Sequence, residues 1–155
     1  MEIYRLIERH KGVLALDIGD IMMPSHQPMS IVRISEACPE LKITVCHLLA
    51  PVREKRKEWE LSLRLLDRAN IRFDISSMPK IMDPDCYPYP ETKEYLTEAK
   101  EILGAKKLMW GTDAPFAATK DSYEHLADYL LKDSAFSEDE LQDVYYNNAA
   151  DQYFS

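Results

Sequence analysis

The sequence predicts an α/β fold built on a parallel sheet, and three observations carry that prediction. Four short apolar runs rich in β-forming residues, at 12–18, 42–47, 71–76 and 107–111, start roughly 30 to 36 residues apart. Segments of helical periodicity separate them, long enough to serve as crossover helices. The runs also show little polar alternation, as strands covered on both faces do.

In chain order, residues 2–10 read as a helix through Ile3, Leu6 and Ile7, and the first strand follows at 12–18. Residues 29–37 carry a mixed helical pattern before the second strand. Residues 53–69 are clearly helical, with Trp59, Leu63 and Leu66 on one face. The third strand precedes a helix at 91–103, whose stripe is Tyr95, Leu96, Ala99, Ile102 and Leu103 and whose stop is Gly104. After the fourth strand come a helix at 121–131 and a last one running from Ser137 to about Tyr153. Ser137 and Glu140 form its capping box. The loops after the strands, at 19–28, 48–52, 77–90 and 112–120, hold most of the nine prolines. Residues 83–90 read as a lid or rim loop.

Composition excludes several classes of function. The chain has 155 residues, 46% hydrophobic and 30% charged, which predicts one domain over 1–155 with a core that needs no disulfides. Nineteen Lys+Arg against 27 Asp+Glu give a net charge of -8. That balance predicts neither a nucleic-acid nor a membrane partner. Arg53, Lys55, Arg56 and Lys57 alternate with Glu54, Glu58 and Glu60, and read as a solvated helix face. No apolar run approaches the length of a membrane helix, and residues 1–11 lack a signal core. Cys38, Cys46 and Cys86 form no CxxC pair, which predicts reduced thiols and a cytoplasmic protein.

The chemistry-bearing residues share a position. Asp17, His47, Ser76 and Asp113 lie at or just past the C-terminal ends of the predicted strands. In a parallel barrel those ends converge on one mouth, where two carboxylates and an imidazole bind a metal or move protons. Each has a plainer reading. Asp17, before Ile18-Gly19-Asp20, and Asp113, before Ala114-Pro115, are equally turn carboxylates. His47 is equally a buried structural histidine, and Ser76 a loop polar group. His10 and His125 read as surface residues, and His26 as a contact residue on a mouth-side loop. Cys46 and His47 share a predicted strand, so their side chains point to opposite faces and form no dyad. No P-loop, GxGxxG or GxSxG motif is present.

The run Leu108-Met109-Trp110-Gly111-Thr112-Asp113-Ala114-Pro115 resembles the last-strand motif of the amidohydrolase-2 family, which includes aminocarboxymuconate-semialdehyde decarboxylase-like enzymes. Cys38-Pro39-Glu40-Leu41-Lys42-Ile43-Thr44-Val45-Cys46-His47-Leu48 is similar to its histidine-presenting strand. The segment from Ser137 through Asn148-Ala149-Ala150 to Phe154 is similar to its terminal helix. The resemblance implies half of a TIM-type (β/α)8 barrel, strands five to eight, about half of a typical barrel. It implies a metal-dependent hydrolase or related decarboxylase (a lyase) acting on a small organic substrate. Asp113 and His47 would be catalytic, and His47, Asp113 and Asp17 the donors to a divalent Zn or Mn. His26, Ser76 and Trp110 would shape the substrate pocket.

Two departures from the family pattern set further expectations. Asp17 stands where the family usually has a strand-five histidine, and the His-x-His pair of strand one is missing. The chain is therefore expected to self-associate or to recruit an N-terminal half-barrel. The alternative is a non-catalytic fragment or interaction subunit that binds no metal tightly. A doubly wound flavodoxin-like domain is a third reading. The acidic Asp17-Ile18-Gly19-Asp20 turn would repel the phosphate such a domain binds.

Overall fold

The computed structural model describes all 155 residues. Helix α1 (Glu2–Arg9) leads into β1 (Val13–Leu16), α2 (Pro28–Ala37), β2 (Lys42–Val45), α3 (Arg56–Leu65) and β3 (Ile71–Asp74). A short α4 (Met78–Ile81), which the sequence pattern did not anticipate, precedes α5 (Pro90–Leu103) and β4 (Leu108–Met109). The chain ends with α6 (Tyr123–Asp128), α7 (Glu138–Gln142) and α8 (Asn148–Phe154). All four strands are parallel and lie in the order β1-β2-β3-β4. A doubly wound sheet reverses its strand order at a switch point. This one never does, and the sheet is half of a (β/α)8 barrel.

The strands are shorter than their apolar runs and do alternate. Ile43, Val45, Ile71, Phe73 and Leu108 are buried on one face with Trp59, Leu63, Tyr95 and Leu96 from α3 and α5. The period of two sends Thr44 and Arg72 to the opposite face. There α8 covers them: Gln152 and Tyr153 both donate to Thr44 Oγ1, at 3.1 and 3.0 Å. Arg72 donates to the Asn148 carbonyl at 2.8 Å and pairs with Asp151. The expectation of strands apolar on both faces is thus corrected. This more polar face is covered by α8 near β2 and β3, and Ala15, paired with Thr44 in register, is exposed on the edge strand β1.

Two helix signals take their expected form. Glu140 N–H donates to Ser137 Oγ at 3.3 Å, and Ser137 N–H donates to Glu140 Oε2 at 2.8 Å, completing the capping box. Gly104, at φ +79°, ends α5. The last helix, however, is interrupted by a π turn over Asp143–Asn147. It starts α8 at Asn148, whose buried amide donates to the carbonyls of Ala105 and Leu108 at 2.9 and 2.8 Å.

The basic cluster is solvent-facing, with Arg53, Glu54 and Lys57 exposed, and its arginines also bridge to α5. Arg53 makes a two-pronged bond to Glu91, at 2.6 and 2.8 Å, and also donates to the Met82 and Asp83 carbonyls. Arg56 pairs with Glu98 at 2.8 Å and lies 4.6 Å from the Tyr95 ring centre. Matched carboxylates on α5 thus tie two arginines of this solvent-facing stretch to the neighbouring helix.

The sharpest departure from regular structure follows β2. His47, Leu48, Leu49 and Ala50 all have positive φ, at 56°, 50°, 64° and 43°. Each such non-glycine residue costs about 1–2 kcal/mol, so packing must impose the turn. Leu48 and Leu49 are buried, the Trp59 indole donates to the Leu48 carbonyl at 2.8 Å, and Ala50 N–H closes onto the His47 carbonyl at 2.8 Å.

Asn148→Ala should strand two buried carbonyls and lower stability by about 2–4 kcal/mol in urea unfolding. Ala50→Gly should raise it by about 0.5–1 kcal/mol, because glycine relieves the left-handed penalty while adding some unfolded-state entropy. A neutral or destabilising Ala50→Gly in the same assay would mean that the turn is not left-handed at that residue.

Candidate active site

The residues past the strand ends converge on one rim. Asp17 follows β1 and does two things. Its Oδ1 accepts the Gly19 N–H at 2.9 Å, an Asx-type turn completed by Gly19 at φ +67°. Its Oδ2 lies 3.8 Å from His47 Nε2. The turn reading and the mouth reading of Asp17 therefore hold together.

His47 leaves the sheet. Its backbone N–H donates to Asp74 Oδ1 at 2.9 Å, and its Nδ1 meets Ser76 Oγ at 2.9 Å. Ser76 also donates its backbone N–H to Asp74 Oδ1 at 3.2 Å, and its hydroxyl hydrogen-bonds the same oxygen. The expectation that Cys46 and His47 share a strand is corrected, because β2 stops at Val45 and both residues lie in the turn. The physical reason is the Asp74 carboxylate. It takes the amide that would otherwise extend the ladder.

At the end of β4, Asp113 has φ 59°, and Ser77 Oγ donates to its Oδ2 at 2.5 Å. Trp110 is turned to the packing behind the rim. Its ring stacks on Tyr145 at 5.2 Å, its indole N–H reaches the Leu126 carbonyl at 3.4 Å, and its backbone N–H donates to the Val144 carbonyl. His26, half-buried on the loop after β1, places Nδ1 3.3 Å from the Gly19 carbonyl, while its Nε2 is buried without a partner. The structure thus brings Asp17, His47 and Ser76 into one contact chain. It places Asp113 on Ser77, and sets Trp110 and His26 on separate supports.

Sequence reasoning missed Asp74 and Ser77. Asp74 had a signal: it is the one carboxylate in the apolar run at 71–76. Ser77 had none, since its role depends on a left-handed φ of 59° that aims it at Asp113.

Electrostatics tie the carboxylates together. The half-buried Cys46 thiol is pushed up to about 12, first by burial, then by the charge of Asp74 and a hydrogen bond to it, and then by Asp17 and Asp113. All three acidic groups therefore act on one point at the rim, and the thiol there stays protonated at neutral pH.

The donors do not by themselves make a metal site. No three His, Cys, Asp or Glu side chains of the chain gather as a metal-holding group. His47 and Asp17 offer one nitrogen and one oxygen, while one Asp113 oxygen is engaged by Ser77. A four-coordinate centre needs more than that set supplies.

The loop at 83–90 is pinned beside the rim. Tyr87 donates to Asp128 at 3.0 Å, and Tyr89 to Asp121 at 2.6 Å. His125, read from sequence as a surface residue, is half-buried. It stacks on Tyr87 with ring centres 3.9 Å apart and bonds Asp121 at 2.9 Å.

Solved structures share this fold. An amidohydrolase from Burkholderia multivorans with bound HEPES superposes with a TM-score of 0.83 at 16% identity, covering 97% of this chain and 55% of that one. A second crystal form of that protein, with bound zinc, gives 0.81 at 17% identity with the same coverage. A probable 2-pyrone-4,6-dicarboxylic acid hydrolase from Acinetobacter baumannii, with citric acid bound, gives 0.72 at 17%, covering 97% and 55%. The 5-carboxyvanillate decarboxylase of Sphingomonas paucimobilis gives 0.61 at 14%, covering 97% and 52%. The chain spans about half the length of these structures. No curated protein matches it. The amidohydrolase family model, Amidohydro_2, matches residues 1–154, and the chain belongs to that family.

Proposed function

We propose that this chain supplies half of the active-site mouth of a hydrolase, or a related decarboxylase, acting on a small organic substrate. The observation that carries the reading is the meeting of His47 and Asp17 at one rim, with Asp113 held by Ser77, the neighbour of the Ser76 that bonds His47. His47 would give or take a proton at Nε2, the ring atom that faces the mouth, and Asp113 would be the second proton-handling group. Asp17 would face the imidazole from across the rim, its Oδ2 3.8 Å from Nε2. His26 and Ser76 are our candidates for the residues that shape the substrate pocket, while Trp110, expected there from sequence, packs behind the rim on Tyr145.

Two named neighbours, the dicarboxylic acid hydrolase and the carboxyvanillate decarboxylase, support a small carboxylated cyclic compound as the substrate class. The zinc in the Burkholderia multivorans structure supports a divalent metal, zinc or manganese, in a complete barrel. His47, Asp17 and Asp113 would be this half's donors to it, with the nitrogen ligands coming from elsewhere. We assign no chemical step to a metal held by this chain alone.

The same reasoning gives a partner. β1 and β4 are sheet edges without a further strand, and α1 beside β1 exposes Met1, Ile3 and Leu6. Such edges are covered by pairing. A second copy or an N-terminal half-barrel would close them. No helix of the chain is long and apolar enough to cross a membrane, and no nucleic-acid partner is proposed. Three unpaired cysteines support a cytoplasmic location. The second reading, a non-catalytic interaction subunit, is favoured by the incomplete donor set.

Both readings expect little metal on the isolated chain, so turnover and metal content in a closed barrel separate the two. The chain alone should elute larger than a monomer and carry clearly substoichiometric zinc or manganese. In a closed barrel, Asp113→Asn should lower turnover by roughly 10²- to 10⁴-fold without changing the melting temperature. Full activity in that variant would sink the catalytic reading.

A further inference from the structure

We infer that Ser76 is a positioning residue that fixes the His47 imidazole as its Nδ1–H tautomer, leaving the Nε2 lone pair open toward the mouth. The argument is one of donor and acceptor counting. Asp74 Oδ1 is the hub, accepting the His47 backbone N–H at 2.9 Å, the Ser76 backbone N–H at 3.2 Å and the Ser76 hydroxyl at 2.5 Å. A carboxylate has no proton to give, and a serine hydroxyl has a single proton.

The Ser76 proton goes to the carboxylate, because a charge-assisted hydrogen bond is the stronger of the two on offer. Ser76 Oγ can then only accept from His47 Nδ1, 2.9 Å away. A neutral imidazole carries one ring proton, so the proton held at Nδ1 is absent from Nε2. Nothing satisfies Nε2 inside the chain. Asp17 Oδ2, the carboxylate that faces it, stands at 3.8 Å, beyond hydrogen-bond range.

The other tautomer would set two lone pairs against each other at the Ser76 contact, or would take the hydroxyl away from Asp74. Ser76 is 7% exposed, so water does not readily replace either bond. His47 itself is 22% exposed at its side chain, and that exposure admits solvent or a substrate to the rim. The consequence for chemistry rests on the reading given above: an open Nε2 lone pair accepts a proton or binds an electrophile, whereas an Nε2–H only donates.

Long-range proton–nitrogen NMR of the nitrogen-15-labelled chain, at mildly alkaline pH without substrate or metal, reads the tautomer directly. His47 is assigned by comparison with His47→Gln. The wild-type ring should show a protonated Nδ1 and a pyridine-type Nε2. Ser76→Ala should shift the ring toward the Nε2–H form that free imidazole side chains favour, and Ser76→Thr should restore Nδ1–H. The His47 backbone amide, bonded to Asp74, reports that the turn stays folded in the variants. An Nε2–H or doubly protonated ring in the wild type, or an unchanged ring in a folded Ser76→Ala, overturns the inference. If Ser76→Ala does not fold, the wild-type spectrum decides. Because no turnover is measured, this result and the proposed activity can fail independently.

Discussion

The rim depends on one carboxylate oxygen. Asp74 Oδ1 takes the His47 amide, and that bond decides where β2 ends and where the chain turns. Two neighbouring strands of a parallel sheet would ordinarily trade backbone bonds to their ends. Here a side chain on β3 intercepts the exchange, and the chain enters four left-handed residues. The strain of that turn is offset by two buried leucines and the Trp59 indole. The imidazole is therefore aimed by a core-packed turn, which holds a side chain more tightly than a solvated loop does.

Much of the architecture was legible in the sequence. Apolar runs of β-formers located all four strands, and their spacing implied parallel pairing. The Ser137–Glu140 pair and Gly104 marked helix ends because capping is a local interaction, written in a few adjacent residues. The family motif around Asp113 placed the chain in its family. What sequence did not reveal was set by distant partners. Arg53 and Arg56 read as solvated charges, and only the fold brings Glu91 and Glu98, on another helix, opposite them. Thr44 and Arg72 interrupt strands that otherwise read as apolar, and they mark a more polar face only once α8 is seen lying on it.

The rim was half legible for the same reason. Strand-end position selected Asp17, His47, Ser76 and Asp113, and three of the four lie in one contact chain. Position gave no clue to the second row, in which Asp74 and Ser77 hold those groups. A serine's partner is fixed by backbone angles that no periodicity encodes. Trp110 shows the converse: a motif residue beside Asp113 whose ring is committed to Tyr145.

The π turn at Asp143–Asn147 has an evolutionary and engineering corollary. Such a bulge amounts to one residue inserted into an α-helix. Each residue advances a regular helix by about 100°. Excising one residue from the bulge would restore ideal pitch and rotate everything beyond it by that angle. Asn148 would swing off the Ala105 and Leu108 carbonyls, and Gln152 and Asp151 would leave Thr44 and Arg72. The irregular turn is thus the phase-setter of the last helix, and a deletion that improves local helicity would unlock the floor of the half-barrel.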